Sequence, residues 1–174
     1  MPPYEHFTDN ELIDAINQGD IHAFETLYDR YTSKVLKRCY FICLNLEGAR
    51  DLNQEIWVKV FLHLHTFKKE SAFSSWLYRL TTNHCLNYLK SKAYSEQSHR
   101  ELSLDEPSQE NPAASIEVHH LLQKLSLEDR TILALKFLGE YSYEEISGIC
   151  KIGVSAAKMR VSRLIAKLRE EVAP

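Results

Sequence analysis

The stretch 142-SYEEISGICKIGVSAAKMRVSRLIAKLR-169 decides the fold of the second half of the chain. Ser142 and Glu145 form a capping-box pattern, a hydroxyl at the N-cap and a carboxylate three residues on, which opens a short helix. Lys151-Ile152-Gly153 reads as a turn, and Ser155 is placed to cap a last helix that runs to about Glu171. Two helices joined by a short turn containing glycine match a helix-turn-helix. On the last helix Ala157, Val161, Leu164, Ile165 and Leu168 fall on one apolar face. Lys158, Arg160, Arg163, Lys167 and Arg169 add five positive charges, with no acid from 156 to 169. DNA suits such a helix, because cations displace the counterions condensed on phosphates and the helix dipole favours anions at its start. Lys158, Met159 and Ser162 lie near that start, where side chains can reach base edges in a major groove. A basic run alone is more often a solvated face; the short helix, the turn and the capping serine together favour DNA.

Outward from this stretch the pattern stays helical. Ser126-Leu-Glu-Asp129 caps a helix that ends at Gly139, and Ile116 to Leu125 is helical before it. Residues 95–115 are polar and acidic, with two prolines, and read as a linker. On its other side, Thr8 and Glu11 form a capping box for a helix ending at Gly19. Asp20 caps a second helix toward Leu44, carrying Phe24, Leu27, Tyr28, Tyr31 and Val35, and Gly48 breaks it. A third helix is expected from Asp51 to about His65. A loop from Lys68 to Ser75 and a fourth helix from Trp76 to about Lys92 follow. No strand pattern competes. The expectation is an all-α chain of two small helical domains, 1–94 and 116–174, joined by the flexible acidic linker 95–115.

Composition narrows the class. The 174 residues are 44% hydrophobic, with five Gly and five Pro, which fits a helical globular chain. No run of about 18 apolar residues predicts membrane insertion. Met1 to Thr8 lacks a secretory pattern, so a cytoplasmic location is expected. Cys39, Cys43, Cys85 and Cys150 form no CxxC pair and read as small buried hydrophobes. The net charge of −3 is unevenly spread. Residues 1–29 hold seven acids and no Lys or Arg, whereas residues 30–94 hold eleven Lys/Arg against four acids. Residues 95–117 hold six acids and Arg100, and residues 118–174 hold nine Lys/Arg against seven acids. An acidic whole therefore carries two basic blocks, and nucleic acid is not excluded.

Two faces in the first half are unusual. At about 100° per residue, Leu52, Ile56, Trp57, Val60, Phe61 and Leu64 cover a core side of the third helix. Asp51, Gln54, Glu55, Val58 and Leu62 cluster opposite. Apolar side chains inside an acidic and amide rim suit an interface, although scattered exposed apolar residues are common. On the fourth helix Arg79, Asn83 and Lys90 share a face flanked by Trp76 and Asn87. The preceding loop brings Lys68, Lys69, Ser71 and Phe73. Cations, amides and aromatics beside a loop suit single-stranded nucleic acid, where bases stack on rings and amides read their edges. Taken singly, Phe73 and Trp76 each fit a core better than a nucleic-acid contact.

The segments Asp51 to Phe61, Phe67, Ser71 to Phe73 and Trp76 to Asn83 resemble region 2 of extracytoplasmic-function (ECF) sigma factors, of the sigma-70 family. Leu125 to Arg130, Tyr141 to Ile146 and Lys158 to Arg163 resemble region 4. The resemblance covers about residues 8–94 and 116–171. It implies a factor that binds core RNA polymerase and directs promoter-specific initiation, without catalysis and without a cofactor. Asp51, Gln54 and Glu55, with Val58 and Leu62, would meet the clamp helices of the largest polymerase subunit. Loop residues Lys68, Lys69, Ser71 and Phe73, with Trp76, Asn83 and Asn87, would take the −10 element, while Arg79 and Lys90 hold phosphates. Ser155, Lys158, Met159, Arg160, Ser162, Arg163 and Lys167 would serve the −35 element, and region 4 would dock on the polymerase flap. An anti-sigma partner is also implied, and in its absence the two domains can close on each other. The turn reads Ser155-Ala156-Ala157 where the family often has Gly-Thr-Val, and Met159 stands where a small polar residue is usual.

Two other readings compete. A stand-alone helix-turn-helix regulator explains residues 126–171 but leaves the faces of 51–92 without a purpose. A metal- or redox-responsive protein could use Cys39 and Cys43, His63 and His65, His84 and Cys85, or His119 and His120, but none has a recognised zinc spacing. No glycine-rich phosphate loop, nucleophile elbow or HExxH motif points to an enzyme.

Overall fold

The computed structural model describes residues 4–96 and 120–172. They form α1 (Asp9–Asn17), α2 (Ile21–Cys43), α3 (Leu46–His63), a 3-10 turn (Leu64–Thr66), α4 (Phe73–Glu96), α5 (Leu127–Leu133), α6 (Tyr143–Cys150) and α7 (Val154–Val172). Residues 120–123 are also helical, and no strand occurs among the described residues. Most of the expected linker, and the start of the helix expected from Ile116, lie outside them.

The helix starts follow local chemistry. Thr8 and Glu11 close a capping box on α1, and Asp20 accepts from the His22 N–H at the start of α2. Ser126 caps α5, and Ser142 with Glu145 closes a capping box on α6. Each cap satisfies backbone donors that the helix cannot pair, a contribution of about 1 kcal/mol.

The starts of three helices differ from expectation, α4 among them, which begins at Phe73 and not at Trp76. The second helix ends at Leu44 as expected, with φ +56°, but α3 starts at Leu46 and not at Asp51, because Asn45 caps it by accepting from the Gly48 N–H at 2.6 Å. Gly48 thus sits inside the first turn of α3, where an added Cβ would meet Asn45 Oδ1 at 3.0 Å. In the second half, α7 starts one residue before Ser155, with the Ala157 N–H bonded to the Gly153 carbonyl. Gly153 is therefore at the cap, and Ser155 lies in the first turn. The fifth helix continues as a π-helical turn, Ala134–Leu138, which ends at Gly139.

Helices α1 to α4 surround a core of Leu12, Leu27, Val35, Leu52, Ile56, Val60, Leu77 and Cys85, all at most 1% exposed. Helices α5 to α7 enclose a smaller core. They share four buried leucines, Leu122, Leu125, Leu133 and Leu164, against which Phe41 and Leu44 of the first unit also pack. Leu135, Tyr141, Ile146 and Ala157 belong to the same contiguous buried cluster as the four-helix core. The two units are thus packed together, with α4 between the bundle and the π-helical turn.

Candidate polymerase and nucleic-acid interfaces

On α3 the opposite-face pattern is realised. Leu52, Ile56, Trp57, Val60 and Leu64 are buried, whereas Asp51, Gln54 and Glu55 face solvent. Val58 is 59% and Leu62 57% exposed within that rim. Phe61, expected in the core, is instead 49% exposed, its ring edge-on to Phe24 at 5.1 Å. Its position three residues after Val58 puts it beside the same patch, a neighbour relation the sequence already contained.

Glu55 has a partner that sequence reasoning missed. The Lys59 ammonium has no acceptor lone pair, so at 2.8 Å it donates to His84 Nδ1. His84 then carries its proton on Nε2 and donates to Glu55 at 2.7 Å. This neutral imidazole ties α4 to α3. The contact joins residues 29 apart in sequence, and no local pattern predicts it.

On α4, Trp76 is half-buried, with its ring 5.6 Å from Phe67 and 5.8 Å from Phe73. Phe73 is 2% exposed, so the expected DNA contact of this ring is corrected: it lies in the core under Trp76, packed on Tyr31 and Phe67. Lys68, Ser71, Asn83, Asn87 and Lys90 are exposed. Lys69, with φ +58°, turns its ammonium to Asp14 and to the Asn10 carbonyl, which anchors the loop to α1.

The rest of the α4 face is covered by the second unit. Arg79 donates to both carboxylate oxygens of Glu145, at 2.8 and 3.3 Å. Its guanidinium also stands 4.6 Å over the Tyr141 ring. Ser75 donates to Glu140 at 3.0 Å. Burial raises the Tyr141 pKa. The Ser142 N–H, then Arg79, hold the Glu145 carboxyl below its usual range.

On α7, Ser155, Lys158, Met159, Ser162, Arg163 and Lys167 are exposed, and Met159, Arg163 and Lys167 among them line an open groove. Arg160 is an exception. Its Nε donates to Asp129 at 2.7 Å and its Nη2 to Glu128 at 2.9 Å, and these two acids raise its pKa. Arg160 therefore braces α7 against α5. Among the described residues, no group of three His, Cys, Asp or Glu is arranged to hold a metal, and the same residues contain no helix long and apolar enough to cross a membrane.

Comparison with known proteins places these surfaces in context. Residues 27–94 match the family model for Sigma-70 region 2, and residues 115–168 match that for Sigma-70, region 4. The chain is 28% identical to the ECF RNA polymerase sigma factor SigW of Bacillus subtilis (strain 168), over 92% of this chain and 94% of that protein. It is 28% identical to the ECF RNA polymerase sigma-E factor of Haemophilus influenzae, over 98% of each. Among solved structures, the fold resembles the sigma factor RpoE in complex with the anti-sigma factor NepR from Bartonella quintana. That match has a TM-score of 0.66 at 21% identity, over 86% of this chain and 96% of the other. It also resembles CnrH in complex with the cytosolic domain of CnrY, with a TM-score of 0.59 at 21% identity over 93% and 95% of the two chains.

Proposed function

This chain belongs to the sigma-70 family as an ECF sigma factor, and we propose that it recruits core RNA polymerase to promoters by dividing the work between its two helical units. The observation that carries this reading is the α3 face. Val58 and Leu62 are more than half exposed inside a rim of Asp51, Gln54 and Glu55, an arrangement suited to a partner and wasteful in solvent. That partner is the clamp-helix surface of the largest polymerase subunit.

The DNA-binding roles divide between α4 and α7. Lys68, Lys69, Ser71, Trp76, Arg79, Asn83, Asn87 and Lys90 serve the −10 element. Arg79 and Lys90 take phosphates, while Asn83 reads the edge of an unstacked base beside Trp76. Phe73 supports Trp76 from below. The exposed set on α7, Ser155, Lys158, Met159, Ser162, Arg163 and Lys167, serves the −35 element, with region 4 docked on the flap. Each unit alone meets few phosphates and binds weakly; on one polymerase their effective concentrations multiply. The protein acts in the cytoplasm, where polymerase is, it has no catalytic step of its own, and an anti-sigma factor holds it in check.

The test is co-elution of the purified chain with core RNA polymerase, followed by run-off transcription on genomic fragments. Co-elution with new start sites is the expected result. If neither the chain nor its two units tested separately bind polymerase or direct starts, the reading falls and a stand-alone operator-binding regulator takes its place.

A further inference from the structure

Glu55 stands in the rim of the α3 patch, one helical turn before Lys59. On a lone helix, a glutamate followed four residues later by a lysine favours a direct ion pair. Such a pair would bring a cation onto the rim carboxylate. The structure shows another arrangement, in which the imidazole of His84 stands between the two. Its Nδ1 accepts from the Lys59 ammonium at 2.8 Å, and its Nε2 donates to Glu55 Oε2 at 2.7 Å. The ammonium is therefore held one ring-width further from the carboxylate than in a direct pair, and Coulomb attraction weakens with that separation.

The imidazole is a firm anchor for an exposed partner. The His84 side chain is 14% exposed, against 60% for Glu55. Thr82 and Cys85, on either side of it in α4, are fully buried. The backbone that carries the ring is thus fixed by core packing. On α3, Ile56 and Val60 are fully buried next to Glu55 and Lys59, so both ends of the bridge start from rigid helix. A neutral imidazole directs a carboxylate by hydrogen bonding and leaves its negative charge in place. A carboxylate has about four acceptor positions, so one bond to His84 leaves capacity for donors of a partner.

We infer that His84 is a positioning residue for polymerase docking: it fixes the Glu55 carboxylate in the rim beside Val58 and Leu62 and keeps the Lys59 ammonium from neutralising it. The inference rests on the proposal that this α3 face meets core polymerase. An acidic rim is complementary to a basic surface, so the groups that Glu55 awaits are lysine or arginine side chains of the polymerase. A glutamate already held in place loses less rotamer freedom on docking than one that moves freely in water. His84 directly follows Asn83 in α4. The bridge therefore also ties the polymerase-facing helix to the helix proposed to read the −10 element.

The test is a titration of the labelled full chain with core RNA polymerase, followed by fluorescence anisotropy. His84→Leu keeps bulk at the site without a donor or an acceptor, whereas His84→Gln supplies one of each. His84→Leu should weaken polymerase binding by about fivefold. His84→Gln should restore most of that loss, because its amide can accept from Lys59 and donate to Glu55. In a Glu55→Ala background His84→Leu should bring no further loss, since no carboxylate remains to be positioned. A merely structural role would weaken binding equally in both backgrounds. Equal loss in the two backgrounds, no rescue by His84→Gln, or unchanged affinity in His84→Leu would each overturn the positioning role and leave recruitment standing. If wild type itself fails to bind core polymerase, the recruitment reading falls and the role of His84 falls with it.

Discussion

Single side chains decide which step of initiation each surface governs. Asn83 is exposed on α4 and its amide can read a base edge, so Asn83→Ala should impair promoter opening more than recruitment. Permanganate reactivity of the melted region against gel-shift recruitment checks this; equal loss at both steps would remove the base-reading role. Glu55 stands in the rim of the α3 patch, and reversing its charge should lower affinity for core polymerase by about tenfold or more, seen in a titration with labelled chain. Unchanged affinity would take α3 out of that interface. Two arginines on α7 should behave differently. Arg163 is exposed, so Arg163→Ala should weaken −35 binding and lower the salt slope by about one. Arg160 is tied to Glu128 and Asp129, so Arg160→Ala should lower the melting temperature first.

At the scale of elements, caps and turns set where the recognition surfaces point. The Ser142 and Glu145 box starts α6, and α6 fixes the turn into α7. Ser142→Ala should cost about 1 kcal/mol, read as a lower thermal midpoint. It removes only the hydroxyl, so the backbone N–H of residue 142, the first cause of the lowered Glu145 pKa, stays in place. The Gly139–Tyr141 turn is a second control point. Gly139→Ala puts a Cβ into the Tyr141 ring and should weaken the contact of the second unit with α4, without altering any α4 residue. Hydrogen exchange of α4 amides should rise selectively in that variant; uniform exchange over the chain would indicate general unfolding instead.

For the whole molecule, the packed arrangement links pH to exposure of the −10 face. Of the groups that lower the Glu145 pKa, the Ser142 N–H lies in the same capping box and only the Arg79 guanidinium depends on closure, so the Arg79 part alone links pH to the closed form, and it is complete above the ordinary glutamate value of about 4.3. That contribution is lost as pH falls through the lowered value. The closed form should therefore loosen in that acid window, seen as a growing radius of gyration, and Glu145→Gln should abolish this part of the response. The exposed pair between Arg79 and Glu145 is screened by water, so the effect should be modest and most evident at low salt.

The sequence by itself determined the elements. Capping boxes at Thr8 and Ser142, the 3.6-residue apolar period of α3 and the basic helix after Gly153 are local patterns, and local backbone physics reads them directly. The exposed Val58 and Leu62 in their acidic rim were legible for the same reason, as were the family motifs. What sequence could not settle lies in contacts between distant residues. Phe73 and Phe61 exchange their expected places because burial depends on what packs opposite, Tyr31 and Phe67 for one and open solvent for the other. The partners of Arg160, Glu128 and Asp129, lie about thirty residues away, so no local pattern shows that they hold it. The cover over Arg79 comes from a residue more than fifty positions later in the chain. Charge, hydrogen bonding and burial act through space, so only the tertiary structure decided which recognition residues stand free and which are already occupied.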